Sequence, residues 1–584
     1  MYIETINEPA DVKKLNLEQM IVLAKEMRQA LLTKASKHGG HFGPNFGIVE
    51  ATIALHYVFD SPKDKIVFDI SHQSYPHKIL TGRKDGFLYE EHYDDISGYS
   101  NPEESEHDHF TLGHTSTSIS LACGLAKARD LRGESGNVIA VIGDGSLSGG
   151  EALEGLDFAP ELKSNLIIVV NDNDMSIAEN HGGIYENLKQ LRETDGKAEC
   201  NLFKAMGLDY VFVKDGHDIQ ELISALKQVK DCMQPVVVHI CTLKGKGYAP
   251  AEKEKENWHF SGPFDIATGK PLFPSNTENY SNVTANYLLK KMKEDTSVAA
   301  ITSGTPIILG FTEEKRKQAG SQFVDVGIAE ETAVALASGI ATGGGKPVYG
   351  VYSTFIQRTF DQISQDLCIN NSPATMIVFD GSIYGMNDVT HLGIFDIPMM
   401  ANIPNLVYLA PTTKEEYLAM LDWSIEQNEY PVAIRVPGGK MISDGREITK
   451  DFSQLNTYEV TRKGRKVAIL ALGTFYALGE EIAKCLEEKR KEKPTLINPM
   501  YITGLDEKLL EQLKEEHDIV ITLEDGILDG GFGEKIARFY GTSNMKVLNY
   551  GFKKEFLDRY HVQEVLKNNR LTSTQIIEDV FSLL

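Results

Sequence analysis

Residues 138–146 read Val138-Ile139-Ala140-Val141-Ile142-Gly143-Asp144-Gly145-Ser146, and residues 166–173 read Leu166-Ile167-Ile168-Val169-Val170-Asn171-Asp172-Asn173. Each is a short, almost continuous apolar run that ends in a polar turn. Such runs suit strands buried on both faces of a parallel sheet. Asp144 and Asn173 stand 29 positions apart, which is room for one strand–helix–strand crossover. In such a unit both turns lie at the carboxyl ends of parallel strands, where ligands bind. One carboxylate, one amide oxygen and a backbone carbonyl suit a hard cation, with diphosphate oxygens completing an octahedron. Gly143 and Gly145 let the backbone approach a diphosphate closely. A helix beginning after Gly149-Gly150 can point its amide dipole at the same anion. Either turn alone is more often an ordinary turn. The pair at this spacing, each following a strand, reverses that judgement.

The pattern continues outward. Short apolar runs recur at Val236–Ile240, Thr375–Phe379, Val467–Leu472, Ile519–Leu523 and Lys546–Asn549, alternating with helical patterns. The alternation predicts an α/β fold. Ser261–Thr284 is rich in Pro, Gly, Ser and Asn, and Val436–Glu459 has little apolar periodicity; both read as linkers. They predict three domains, 1–265, 285–440 and 460–584, each of ordinary domain size. Of the 584 residues, 59 are basic and 83 acidic, a net charge of −24. That balance argues against nucleic acid, whose phosphates favour a basic face, and against an anionic membrane surface. No apolar run reaches the length of a bilayer span. Six scattered cysteines without a Cys-x-x-Cys pair suit a reducing compartment. The expectation is a soluble cytoplasmic protein. The stretch Glu103–Phe110 reads as an exposed acidic loop. Gly530-Gly531-Phe532-Gly533 reads as close helix–strand packing, since no Lys-Ser/Thr follows it.

A second chemical element is Asp325-Val326-Gly327-Ile328-Ala329-Glu330, which follows Phe323-Val324 and precedes an Ala-rich helical stretch. Taken alone, an acid there is a helix N-terminal residue stabilised by the dipole. Together with the Gly-Asp-Gly and Asn-rich turns, it resembles the activating-Glu motif of transketolase-like thiamine-diphosphate enzymes. The flanking text narrows the family. His38-Gly39-Gly40-His41, the run Ser71–Gly82 (SHQSYPHKILTG), Gly113–Ser120 (GHTSTSIS), Asn171–Asn180 (NDNDMSIAEN), Lys244–Lys253 (KGKGYAPAEK), Tyr352–Arg358 (YSTFIQR) and Thr390-His391 resemble the 1-deoxy-D-xylulose-5-phosphate synthase family. The resemblance covers nearly the whole chain.

The resemblance implies a three-domain transketolase-like architecture, each domain a mostly parallel sheet flanked by helices. It implies thiamine diphosphate and Mg2+ as cofactors, held between the first two domains, and a homodimer. The implied reaction decarboxylates pyruvate and joins the remaining two-carbon unit to the aldehyde of D-glyceraldehyde 3-phosphate. The implied metal ligands are Asp144, Asn173 and the backbone carbonyl of Met175. The implied cofactor contacts are His72, Gly113, His114, Thr115, Gly143, Gly145, Ser146, Asn173, Lys253, Glu330 and Phe355, with Phe355 stacked on the pyrimidine. Catalytic roles fall to Glu330, His41, His72, His259 and His391, because imidazole binds carboxylates and relays protons near neutral pH. Tyr352, Arg358 and Lys440 are the candidate substrate contacts.

The chain departs from the family pattern at two positions. Gly381 stands where the family carries an Arg after the strand Asp, and Gly438 replaces the second Arg of Arg-Tyr-Pro-Arg-Gly. Both arginines belong to the family's grip on the acceptor phosphate. The segment Asp380–His391 is also about one residue short, and the chain is shorter after Arg192. The alternatives are therefore a pyruvate-decarboxylating acyloin synthase with a different aldehyde acceptor, a transketolase, and a non-catalytic paralogue.

Overall fold

The structure is a computed structural model describing residues 1–274 and 277–583. Residues 275 and 276 of the expected linker, and residue 584 of the third expected domain, lie outside the described residues. The chain forms two compact units. The first comprises Met1–Asn276 with Gly327–Ala329, and the second Thr277–Val326 with Glu330–Leu584.

Unit 1 is built on a five-stranded parallel sheet. Its strands are β2 (Lys65–Phe68), β3 (Val138–Gly143), β4 (Ile167–Asp172), β5 (Asp209–Val213) and β6 (Val236–Cys241), in the order β2-β3-β4-β6-β5. Two residues of β1 (Gly40–His41) pair antiparallel with β7 (Phe260–Ser261). The apolar runs are continuous because both faces are covered. Ile139, Val141, Ile167 and Val169 feed one core, while Val138, Ala140, Ile142, Ile168 and Val170 feed another. Strand alternation by two distributes one run between two cores.

Unit 2 contains two sheets. The first has β8 (Val298–Thr302), β9 (Phe323–Asp325), β10 (Lys346–Tyr352), β11 (Thr375–Gly381), β12 (Val407–Leu409) and β13 (Val432–Pro437), all parallel, in the order β12-β13-β11-β10-β8-β9. The second has β14 (Glu459–Arg462), β15 (Lys466–Ala471), β16 (Thr495–Asn498), β17 (His517–Ile527) and β18 (Lys546–Phe552), in the order β14-β16-β15-β17-β18. Only β14 runs antiparallel in this sheet. The two sheets share one apolar core: Ala468, Leu470 and Val520 lie in the same cluster as Val348, Ile377 and Ile434. That shared core is why the chain forms two compact units rather than three separate ones.

The sequence expectations shift in three places, while the expected close helix–strand packing at Gly533 holds, a Cβ there lying 2.5 Å from Thr522 Oγ1 of β17. The helix Tyr280–Glu294 starts inside the expected linker, where Asn279 caps it by accepting from the Asn282 N–H at 2.8 Å. β4 extends two residues past the apolar run, through Asn171 and Asp172, because both pair with β6. The acidic loop folds inward: Glu104 takes Lys78 Nζ at 2.5 Å, and Asp108 takes Arg83 at 2.7 Å and His77 Nε2 at 3.0 Å. Charge pairing with buried cations outweighs the solvation those carboxylates would have outside. At Gly531–Gly533 the amides are occupied by the chain's own carboxylate, since Glu524 accepts from Phe532 N and Gly533 N, each at 2.7 Å. Among the described residues no helix is long and apolar enough to cross a membrane.

Candidate active site

In unit 1 the parallel pairing of β3 with β4 sets Gly143 opposite Asn171, so the two polar turns emerge side by side. Asp144 opens a short helical turn, Asp144–Ser148, and is 1% exposed. Its Oδ2 accepts from Met175 N at 3.1 Å and Asn180 Nδ2 at 2.7 Å. Burial first, and then the neighbouring Asp172 carboxylate, push the Asp144 carboxyl up to about 7. A buried acid held so high marks a place short of positive charge. The side-chain oxygens of Asn173 and Asn180 are buried there and accept no hydrogen bond among the described residues. Buried acceptors normally find a donor. A carboxylate, free amide oxygens and the Met175 turn are the hard oxygen set a divalent cation takes.

Around this pair the backbone approaches closely. A Cβ on Gly145 would lie 3.0 Å from Ser176, and one on Gly149 would lie 2.0 Å from Ser116 Oγ. The helix Gly150–Phe158 follows with Gly149 at its N-cap. Asp69, at the end of β2, orders the neighbouring Gly113-His114-Thr115 turn. It accepts from Ser116 N at 2.8 Å and Ser118 N at 3.0 Å, and Ser116 Oγ donates to Ser146 O at 2.9 Å. Ser116 sits at φ +75°, a conformation that costs a non-glycine residue energy.

Three histidines expected from sequence come together in unit 1. The β1–β7 pair sets His41 beside His259, with ring centroids 5.9 Å apart. His72 lies 5.2 Å from His41 and 5.3 Å from His259. Asn45 braces the cluster: its Nδ2 donates to His41 O at 2.9 Å and His72 O at 2.7 Å, while Oδ1 accepts from Tyr75 N at 2.9 Å. Burial holds His72 and His259 well below the usual imidazole range, so both are neutral. Their Nδ1 atoms are buried without a partner among the described residues. Lys253 ends the short helix Ala249–Lys253 and is exposed. The lysine that the fold brings to the Asn173–Asn180 turn is Lys244, whose Nζ donates to Ser176 O at 2.6 Å. Burial brings its ammonium down to about 7 against the pull of Asp144. Lys244, Asn180, Asn45 and Asp69 escaped the sequence reading. The first two lie inside quoted motifs, so the signal was present without a way to rank positions.

In unit 2, Glu330 opens the helix Glu330–Thr342 and is 3% exposed. Burial raises its carboxyl, against the Arg358 cation 3.4 Å away. Arg358 is thus engaged with Glu330. Phe355 stands 5.1 Å from the Tyr352 ring and 5.6 Å from His391. His391 is buried, with Nδ1 2.9 Å from Thr390 Oγ1 and 3.6 Å from Asp388. Lys440 is exposed beyond the end of β13.

The two unusual glycines have a structural cause. A Cβ on Gly438 would lie 2.5 Å from the backbone of Gly385, and one on Gly381 would lie 2.8 Å from the Arg435 guanidinium carbon. The segment Asp380–His391 therefore packs down onto 438 and onto Arg435. Arg435 is itself saturated, with Nε on Asp396 at 2.7 Å and Nη1 on Asp525 at 2.6 Å.

Residues 3–200 and 194–242 match the family model described as 1-deoxy-D-xylulose-5-phosphate synthase. Residues 278–441 match the pyrimidine binding domain of transketolase, and 456–576 its C-terminal domain. Curated relatives named 1-deoxy-D-xylulose-5-phosphate synthase include one from Alkaliphilus oremlandii, 38% identical over 99% of this chain and 98% of the relative. Another, from Clostridium beijerinckii, is 38% identical over 100% and 99%. Among solved structures, a transketolase from Campylobacter jejuni is 16% identical, covering 97% of this chain and 100% of that one, with a TM-score of 0.45.

Proposed function

Because the chain belongs to the 1-deoxy-D-xylulose-5-phosphate synthase family, we infer that it is a transferase that decarboxylates pyruvate and joins the two-carbon remainder to D-glyceraldehyde 3-phosphate, giving 1-deoxy-D-xylulose 5-phosphate. The observation that carries the chemistry is the Asp144–Asn173 pair, a buried oxygen cluster with acceptors that no donor fills among the described residues. Asp144, Asn173 and the Met175 carbonyl would hold Mg2+. Gly143, Gly145, Ser146 and the Gly113-His114-Thr115 turn would take the diphosphate of thiamine diphosphate, with His72 and Lys244 beside them; Lys253 is the more distant candidate. When bound, that cofactor supplies the electron sink for decarboxylation.

The chain's own residues do the rest. Glu330, whose carboxyl burial pushes upward against the pull of Arg358, is suited to hold a proton on its carboxyl for the aminopyrimidine nitrogen. Phe355 offers a ring face next to it. The imidazoles of His41, His72 and His259, the last two held neutral by burial, can donate to the pyruvate carboxylate and carry protons at their ring nitrogens. His391, Tyr352, Arg358 and Lys440 serve the acceptor side. Cytoplasmic location, a homodimer and a place in isoprenoid precursor synthesis complete this proposal.

A specific observation favours a second reading of the acceptor. Gly381 and Gly438 leave Asp380–His391 in the space that longer basic side chains would fill, and Arg435 is committed to two aspartates. An unphosphorylated aldehyde would need no such cations. Incubation with thiamine diphosphate, Mg2+, pyruvate and either D-glyceraldehyde 3-phosphate or unphosphorylated aldehydes separates the two. Carbon dioxide release and a ketose phosphate product are expected with the phosphorylated acceptor. Release only with unphosphorylated aldehydes would favour the second reading, and no release with any acceptor would refute both.

A further inference from the structure

At the end of β4, next to the Asn173–Met175 turn, lies a buried polar chain centred on Asp172. β4 ends at Asp172, and alternation sends the side chains of Asn171 and Asp172 to opposite faces. Asn171 Oδ1 accepts from Thr242 Oγ1 at 2.6 Å, and its Nδ2 donates to Gln73 Oε1 at 3.2 Å. Asp172 is enclosed on the other face. Arg192 Nη1, on the helix Gly183–Glu193, donates to Oδ1 at 2.8 Å and to Oδ2 at 2.7 Å. His239 Nε2, on β6, is 2.8 Å from Oδ2. With that nitrogen donating, His239 Nδ1 is left to accept from the Tyr210 hydroxyl at 2.8 Å, from β5. The Asp174 N–H closes the set on Oδ1 at 3.2 Å, and Asp174 itself turns at φ +60°. Asp172 and His239 are essentially unexposed.

This chain does two things to the neighbouring site. It fills both oxygens of Asp172 with donors. It also fixes the strand end from which Asn173 and Met175 project, and Met175 N in turn reaches Asp144. We propose that Tyr210, His239 and Arg192 brace Asp172, and through it the Asn171–Met175 turn, so that a divalent cation meets one carboxylate, Asp144, and otherwise neutral oxygens. Such a site carries too little charge to hold a cation by itself and binds it together with a diphosphate, the usual habit of Mg2+. The three are positioning residues: partners behind metal ligands orient them and tune affinity. This inference rests on the cation-diphosphate reading of the site.

Calorimetric titration of the full-length protein tests it, using Mg2+ with thiamine diphosphate in one series and Mn2+ alone in the other. Wild type should bind the first pair and bind Mn2+ alone only weakly. Arg192→Gln should weaken Mg2+-dependent cofactor binding about 10–100-fold, the usual cost of losing an outer partner. It should also tighten binding of Mn2+ alone, because Asp172 becomes a second available carboxylate. Tyr210→Phe removes only the outermost hydroxyl and keeps the ring, so it should give a smaller change in the same direction and fold like wild type; it serves as the readout if Arg192→Gln does not fold. Arg192→Lys should restore part of the cofactor affinity. Variants with wild-type values in both series, or with both affinities lowered alike, would overturn the brace. A wild type that binds neither ligand would overturn the reading of the site on which the brace rests.

Discussion

In the absence of divalent cations, the folded protein should lose stability as the pH rises from about 4 to about 7, and Asp144 should be the cause. Its carboxyl is pushed from the ordinary 3.8 to about 7 by burial and by Asp172. Between those values the folded chain keeps a proton that the unfolded chain has released. Stability then falls with rising pH. The contribution is fully present below about 4 and is lost as the pH passes 7. At ~1.4 kcal/mol for each tenfold change in acidity constant, the loss is about 4 kcal/mol as an upper bound. His72 and His259, held neutral by burial, give the opposite slope below about 6.5. The difference between wild type and Asp144→Asn therefore isolates the effect. Urea unfolding in chelator from pH 4.5 to 8 would measure it. Trp258 reports on unit 1 once Trp423, the other tryptophan, is changed to Phe. Asp144→Asn should gain on wild type steadily across the window, and Mg2+ with thiamine diphosphate should restore wild type alone. Parallel pH profiles for the two proteins would refute the reasoning.

Two further outcomes are expected. Glu330→Gln should lower turnover by about 10²–10⁴-fold, the range for loss of a positioned acid, while calorimetry finds cofactor affinity within a few-fold of wild type; retained turnover would remove Glu330 from its role. Gly438→Ala should cost about 1–3 kcal/mol, because the new Cβ meets the Gly385 backbone at 2.5 Å; Gly339→Ala, with nothing within 4 Å of its Cβ, is the matched control in thermal unfolding and should not destabilise.

The strands β3, β4, β6, β11, β15, β17 and β18 were legible because burial on both faces writes itself as continuous apolar runs. Val138–Ile142 shows it most plainly, splitting alternately between two cores. That the Asp144 and Asn173 turns emerge side by side was legible because each follows such a strand at crossover spacing. What stayed hidden depends on contacts between distant segments. Nothing in the run Lys244–Lys253 marks Lys244 as the lysine beside Ser176 and leaves Lys253 in solvent; the difference lies in where β6 delivers the chain. Asn45 joins His41, His72 and Tyr75 across about thirty residues of sequence, and no periodicity announces such a role. The acidic stretch misled for a related reason. Composition reports charge but not the buried Lys78 and Arg83 waiting to receive it. The sharing of one core by two sheets was equally invisible, since apolar residues do not name their partners.

The two-residue pairing of β1 with β7 has a consequence for how the protein comes into being. It joins position 41 to position 260, so the imidazole cluster closes a loop that encloses nearly all of unit 1. Such a closure is non-local, and its entropic cost is met only when the intervening sheet is in place. A nascent chain not yet extended to position 259 holds His41 and His72 without His259, and its imidazole cluster is unassembled. Assembly of that centre is in this sense a late checkpoint, reached only after a whole module has been synthesised and has folded.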